Sequence, residues 1–157
     1  MIVHIDNQTE TFIPLSDRYL EKTVETVMQS TGWDTLEPYE VSVLFTDKKK
    51  IRQMNRDYRN INKATDVISF SFREGKGVEF AGMILGDLVI CPEMVKKHSV
   101  TYGVDFKTEM TFVVVHGILH ILGFDHVKKN DRKKMREMED FVMRKLLDDG
   151  WRGRGED

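Results

Sequence analysis

The order of sequence patterns predicts an α+β domain, α/β-like in character, with a small mixed β-sheet of about four strands packed with about five helices. Three observations lead there. Short β-branched or alternating apolar runs are spread over the first ninety residues. The longest helical patterns gather after them. A chain of 157 residues suits one domain with one core. No internal repeat, low-complexity tract or long linker divides it, so residues 1–150 read as one domain and 151–157 as a loose tail.

The elements follow in order. Ile2 to Asn7 alternates, which predicts a strand. Ser16 suits the cap of a helix running to about Ser30, with Leu20, Val24, Val27 and Met28 on one face and Gly32 ending it. Val41 to Phe45 is a short β-branched strand. Asp47 can cap a basic helix through Tyr58, whose inner face is Ile51, Met54 and Tyr58. Val67 to Phe72 and Leu85 to Ile90 predict two more strands, joined by a Gly-rich loop around Gly75 to Gly77. Pro92 sits well at the first position of a helix reaching toward Tyr102, and Gly103 breaks the chain. Asp105 caps a helix through Leu122. Its segment Thr111 to Val115 is β-branched enough for a strand, but the apolar stretch is long and capped, which favours helix. A last helix spans about Asp131 to Leu147, with Met135, Met138, Val142 and Leu146 on one side.

Composition is that of an ordinary soluble domain: 40% hydrophobic, 32% charged, formal net charge −2. The charge is unevenly spread. Acids dominate residues 1–47; then Lys48, Lys49, Lys50, Arg52, Arg56, Arg59 and Lys63 form a basic stretch broken only by Asp57, and a second runs from Lys128 to Arg136. These are either solvated helix faces or a basic face turned to a partner. Cys91 is the only cysteine, which rules out an internal disulfide and fits a reducing compartment. Ending an apolar run before Pro92, it reads as a small buried hydrophobe. The start lacks a basic leader and no apolar run approaches the roughly 20 residues of a membrane span, so a cytoplasmic protein is expected.

Residues 116–126 read His-Gly-Ile-Leu-His-Ile-Leu-Gly-Phe-Asp-His. On a helix, His116 and His120 present both imidazoles on one face, one turn apart, and two such nitrogens can meet one metal at about 2.0–2.1 Å. Gly123 can take the left-handed conformation that ends a helix and swings His126 back toward the same ion. Three imidazoles leave a fourth tetrahedral position, the arrangement of a catalytic rather than a structural zinc. The plain alternative is three unremarkable histidines; against it, three of the five histidines fall within eleven residues at ligand spacing. His4 and His98 have no such neighbours and read as surface or packing residues. The same ligands suit nickel, cobalt or copper.

The spacing His-x3-His-x2-Gly-x2-His is that of the metzincin proteases, which carry a general-base Glu directly after the first His. Here that residue is Gly117. The geometry is kept and the peptidase's proton acceptor is not, so a phosphodiester, RNA above all, is the better substrate.

Together with this stretch, Asn55-Arg56-Asp57-Tyr58-Arg59, Thr65-Asp66-Val67-Ile68-Ser69-Phe70 and Leu85-Gly86-Asp87-Leu88-Val89-Ile90-Cys91 resemble, in the same order, the blocks of the YbeY family of bacterial zinc-dependent endoribonucleases. The resemblance covers about residues 40–147 and departs at Ser71, where many relatives have proline. It implies one zinc ion on His116, His120 and His126, with Arg59 as the residue associated with activity. It also implies single-stranded ribosomal RNA as substrate, maturation of the small-subunit RNA 3′ end, ribosome quality control, and the ribosome or its small subunit as partner. An arginine beside a metal suits that role, because a guanidinium can clamp a phosphate bidentately. Asp66 and Ser69 fit turn and strand-start hydrogen bonding as well as chemistry. Asp87 and Asp125 suit either a turn or the orienting of a ligand histidine. A metallopeptidase-like hydrolase and a non-catalytic, ribosome-associated zinc module stay open as alternatives.

Overall fold

The computed structural model describes residues 1–72, 83–125, 127–147 and 150–153. The Gly-rich loop around Gly75 to Gly77 and the third histidine, His126, lie outside the described residues. The elements are β1 (Ile2–Asn7), α1 (Asp17–Ser30), β2 (Glu40–Phe45), α2 (Lys48–Arg59), β3 (Val67–Ser71), β4 (Ile84–Ile90), α3 (Pro92–Tyr102), α4 (Phe106–Ile121) and α5 (Lys129–Leu147). This is the expected α+β architecture, with four strands and five helices among the described residues. No helix among them is long and apolar enough to cross a membrane.

Helix starts obey their capping residues. Ser16 Oγ accepts from the Tyr19 amide at 3.1 Å, Asp47 Oδ1 from Lys50 at 2.9 Å and Asp105 Oδ1 from Thr108 at 2.7 Å. The sheet order is β1-β2-β4-β3. β1 and β4 flank β2 in parallel, and β3 pairs antiparallel with β4 at the edge. Strand alternation gives the sheet two different faces. Val41, Val43 and Phe45 of β2 and Leu88 and Ile90 of β4 join the main core with Val24, Val27 and Met28 of α1 and the apolar residues of α4 and α5. On the other face a smaller cluster of Ile51, Ile68, Val89 and Cys91 seats α2.

Helix α4 lies at the centre, packed against α1, α3, α5, β3 and β4. A helix touched on every side has no need of an amphipathic pattern. That is why Thr111 to Val115 can be β-branched and helical at once: all five are buried.

Two sequence expectations are corrected. Tyr58 was placed on the inner face of α2, yet it is 69% exposed; its ring reaches only the edge of Phe70, on the outermost strand. The buried polar residue there is Asn55, whose Nδ2 donates to the Lys63 carbonyl at 2.9 Å and folds the following loop back on the helix. Trp151 was placed in a loose tail, yet it is buried, stacks on Phe112 at 5.7 Å between ring centroids, and donates from Nε1 to Asp140 Oδ1 at 2.9 Å. Residues 154–157 lie outside the described residues.

Candidate active site

From Glu109 to Ile121, every residue of α4 is buried except His116 and His120, which are half-buried. Their ring centroids lie 4.7 Å apart with planes at 79°. The helix thus opens to the surface through two imidazoles one turn apart. They line a cavity of about 390 Å³ whose other walls are Arg59, residues 65–69 and Ser71. Spacing singled out His116 and His120 and the family resemblance implied Arg59; all three line this cavity. His126 lies outside the described residues, among which no group of three or more His, Cys, Asp or Glu side chains gathers as for a metal.

Local structure explains each placement. Arg59 is the last residue of α2, and Asn60 follows in the left-handed region (φ 58°) to turn the chain into the cavity wall. Helix α4 ends in a complete cap: the Gly123 amide donates to the His120 carbonyl and the Phe124 amide to Leu119, each at 3.0 Å, with Gly123 at φ 101°. This is the Schellman pattern, and it meets the glycine expectation directly. The Leu122 amide takes the Ile118 carbonyl at 3.0 Å. The remaining carbonyl of that turn, Ile121, accepts from Ser71 Oγ at 2.8 Å. Ser69 Oγ donates one turn earlier, to Gly117, at 3.1 Å. Two residues along a strand span about 6.6 Å and four along a helix about 6 Å, so two alternate serines match two successive turns. Ser71, the position at which the family resemblance departs, therefore helps hold the histidine helix against β3.

Gly117 has a packing reason. A Cβ built there would lie 2.2 Å from Leu88 Cδ1 and 3.2 Å from Ser69 Oγ. The position that holds glutamate in the metzincins here packs against Leu88 and Ser69 of the sheet, so that any side chain would have to displace the leucine.

The other candidates separate. Asp66 lines the cavity and pairs with His98 Nδ1 at 3.2 Å, so His98 is tied to the cavity wall. His4 pairs with Glu40 at 2.8 Å, far along the sheet on β1 and β2. Asp87 is neither in a turn nor beside the histidines. Its strand neighbours Gly86 and Leu88 touch α4, so its side chain points to the opposite face, into a second cavity with Ser42 and Met54. Burial there pushes its carboxyl above the usual range, partly offset by the Ser42 hydrogen bond. Asp125 Oδ1 accepts from the Val127 amide at 3.1 Å, a local turn bond. Cys91 is fully buried, and burial pushes its thiol up, as expected of a packing residue. Sequence reasoning missed Glu139, whose Oε2 lies 2.6 Å from His116 Nδ1. The signal was an acid amid the apolar stripe of the last helix.

A small α+β domain whose central buried helix opens through a histidine pair, into a cavity that an arginine also lines, has the build of a hydrolase site. The chain belongs to the endoribonuclease YbeY family, whose pattern it matches over residues 4–147. It is 38% identical over 133 residues to the endoribonuclease YbeY of Heliobacterium modesticaldum, covering 80% of each chain. It is 37% identical over 140 residues to that of Caldicellulosiruptor bescii, covering 83% of this chain and 89% of the relative. It is 42% identical over 115 residues to that of Staphylococcus carnosus, covering 71% and 72%. The solution structure of the Thermotoga maritima protein TM1509 shares the fold, with a TM-score of 0.60 at 22% identity over 96% of this chain and 99% of that one.

Proposed function

We propose that this protein is a zinc-dependent endoribonuclease that cuts single-stranded ribosomal RNA, acting in the cytoplasm on the small-subunit RNA 3′ end and in ribosome quality control. Its named relatives support the RNA substrate, and the family resemblance supports the ribosomal setting. In this reading His116, His120 and His126 hold one zinc ion and Arg59 holds the scissile phosphate.

The observation that carries the reading is the histidine pair itself. On a helix buried from Glu109 to Ile121 apart from these two side chains, both open to the cavity, and Arg59 lines the same space. The donor set fits zinc: imidazoles at i and i+4 are ligands of the type it prefers, and the Gly123 cap turns the chain just before His126. A bound zinc ion supplies Lewis-acid polarisation of a phosphoryl oxygen and of a water molecule. The protein's own part is positioning. Arg59 offers paired N–H donors to a phosphate and opposes the charge that builds as the phosphodiester is attacked. A notch of about 400 Å³ lined by Lys48, Lys49, Arg52 and Lys63 reaches Ala64, and the cavity wall begins at the next residue. That continuity suits an RNA backbone passing from the basic helix into the cavity. A peptidase reading is disfavoured by the packing of Gly117.

The test is cleavage of an end-labelled single-stranded ribosomal RNA fragment by wild type, Arg59→Ala and His120→Ala proteins purified identically. Cutting by wild type alone is the expected result. Equal cutting by all three would mean that the activity belongs to a contaminant.

A further inference from the structure

Helix α5 carries an acid where its pattern calls for an apolar residue. Met135, Val142 and Met143 are buried on the face that joins the core, and Glu139 sits among them, four residues after the first and three and four before the others. It is 8% exposed. A carboxylate in such a seam is costly unless something nearby requires it. Its partner is His116 Nδ1, 2.6 Å from Oε2. The same imidazole stacks on Phe112 at 5.9 Å and 24°, and Phe112 stacks in turn on Trp151. Trp151 is tied back to α5 through Asp140, the residue after Glu139. The His116 ring is therefore held along one edge by a carboxylate of α5 and across one face by Phe112 of its own helix, which is backed by Trp151, itself tied to α5.

From this geometry we infer that Glu139 is the positioning residue of the metal site: it fixes the orientation and tautomer of His116. A proton on Nδ1, donated to Glu139, puts the lone pair on Nε2, the nitrogen that would bind an ion. The carboxylate also makes the imidazole a stronger donor. The inference rests on the metal reading proposed above, to which it adds a residue from another helix.

Zinc affinity by chelator competition, cobalt absorption spectra and melting temperatures with and without metal test it on the purified chain. The variants are Glu139→Ala, the isosteric Glu139→Gln and, as a control, Arg59→Ala. Glu139→Ala should weaken zinc binding about 10–100-fold and shrink the metal-induced rise in melting temperature. Glu139→Gln keeps an acceptor oxygen without the charge and should recover part of the loss. Arg59→Ala should bind zinc as wild type does. If Glu139→Gln and Glu139→Ala hold zinc within about twofold of wild type, with unchanged cobalt spectra, the inference is overturned and Glu139 is a packing residue. If wild type itself binds neither metal, the metal reading fails and carries this inference with it.

Discussion

Replacing Gly117 with alanine separates packing from helix propensity. In an open helix the change would stabilise by about 1 kcal/mol, because alanine is the better helix former. Here the added methyl falls 2.2 Å from Leu88 Cδ1, with Cδ2 at 3.4 Å and Ser69 Oγ at 3.2 Å, so neither branch of the leucine offers an easy retreat. Leu88 is itself fully buried and cannot swing into solvent. Overpacking of this kind costs about 1–3 kcal/mol, which leaves a net loss of up to about 2 kcal/mol. Urea unfolding of wild type, Gly117→Ala, Leu88→Ala and the double variant measures it. Leu88→Ala alone should cost about 2–5 kcal/mol, and the double variant should be more stable than the two losses summed, because the smaller side chain makes room. A Gly117→Ala protein stabilised by the full propensity gain, with no coupling to Leu88, would refute the close approach of helix and sheet. It would also remove the steric reason why this site carries no glutamate.

Two further outcomes follow from the structure. Gly123→Ala should destabilise by about 1–2 kcal/mol through the backbone alone, since φ is 101° and nothing lies within 4 Å of the added methyl; unchanged urea midpoints would show that the helix ends without that conformation. Asp87 is held above the usual carboxylate range by burial, so the folded chain binds this proton more tightly than the unfolded chain. Its contribution favours folding at low pH and is lost as pH rises through the folded value. Asp87→Asn should therefore melt higher than wild type at pH 7, and the advantage should vanish below about pH 4; an equal gain at both pH values would contradict the assigned cause.

What the sequence showed was local. Caps at Ser16, Asp47 and Asp105, the glycine stop at 123 and the one-turn spacing of His116 and His120 each depend on residues within a few positions of one another, and each is present. What it hid depends on which elements meet. Nothing near Gly117 announces Leu88, and nothing near Ser69 and Ser71 announces helix carbonyls 48 and 50 residues away. Tyr58 kept its helical phase but met only an edge strand, so phase alone overstated its burial. Trp151 followed the last helix closely enough to look like tail, yet its ring had a stacking partner on α4.

The division has a consequence for how such a site can be maintained. Eleven contiguous residues contain the three histidines, so the proposed ligands travel together as one short segment. Their aim does not. His116 takes its ring orientation from Glu139 on α5 and from Phe112 one turn before it, while the helix that carries both histidines takes its height over the sheet from two serines on β3 and from the absence of a side chain at 117. A substitution at Ser71 or Glu139 can thus leave the histidine motif intact and still misplace it, since displacements of about 1 Å at a reacting centre cost orders of magnitude in rate. In the proposed reading the motif would supply the chemistry, and the edge strand and the last helix would decide whether it is in register with Arg59.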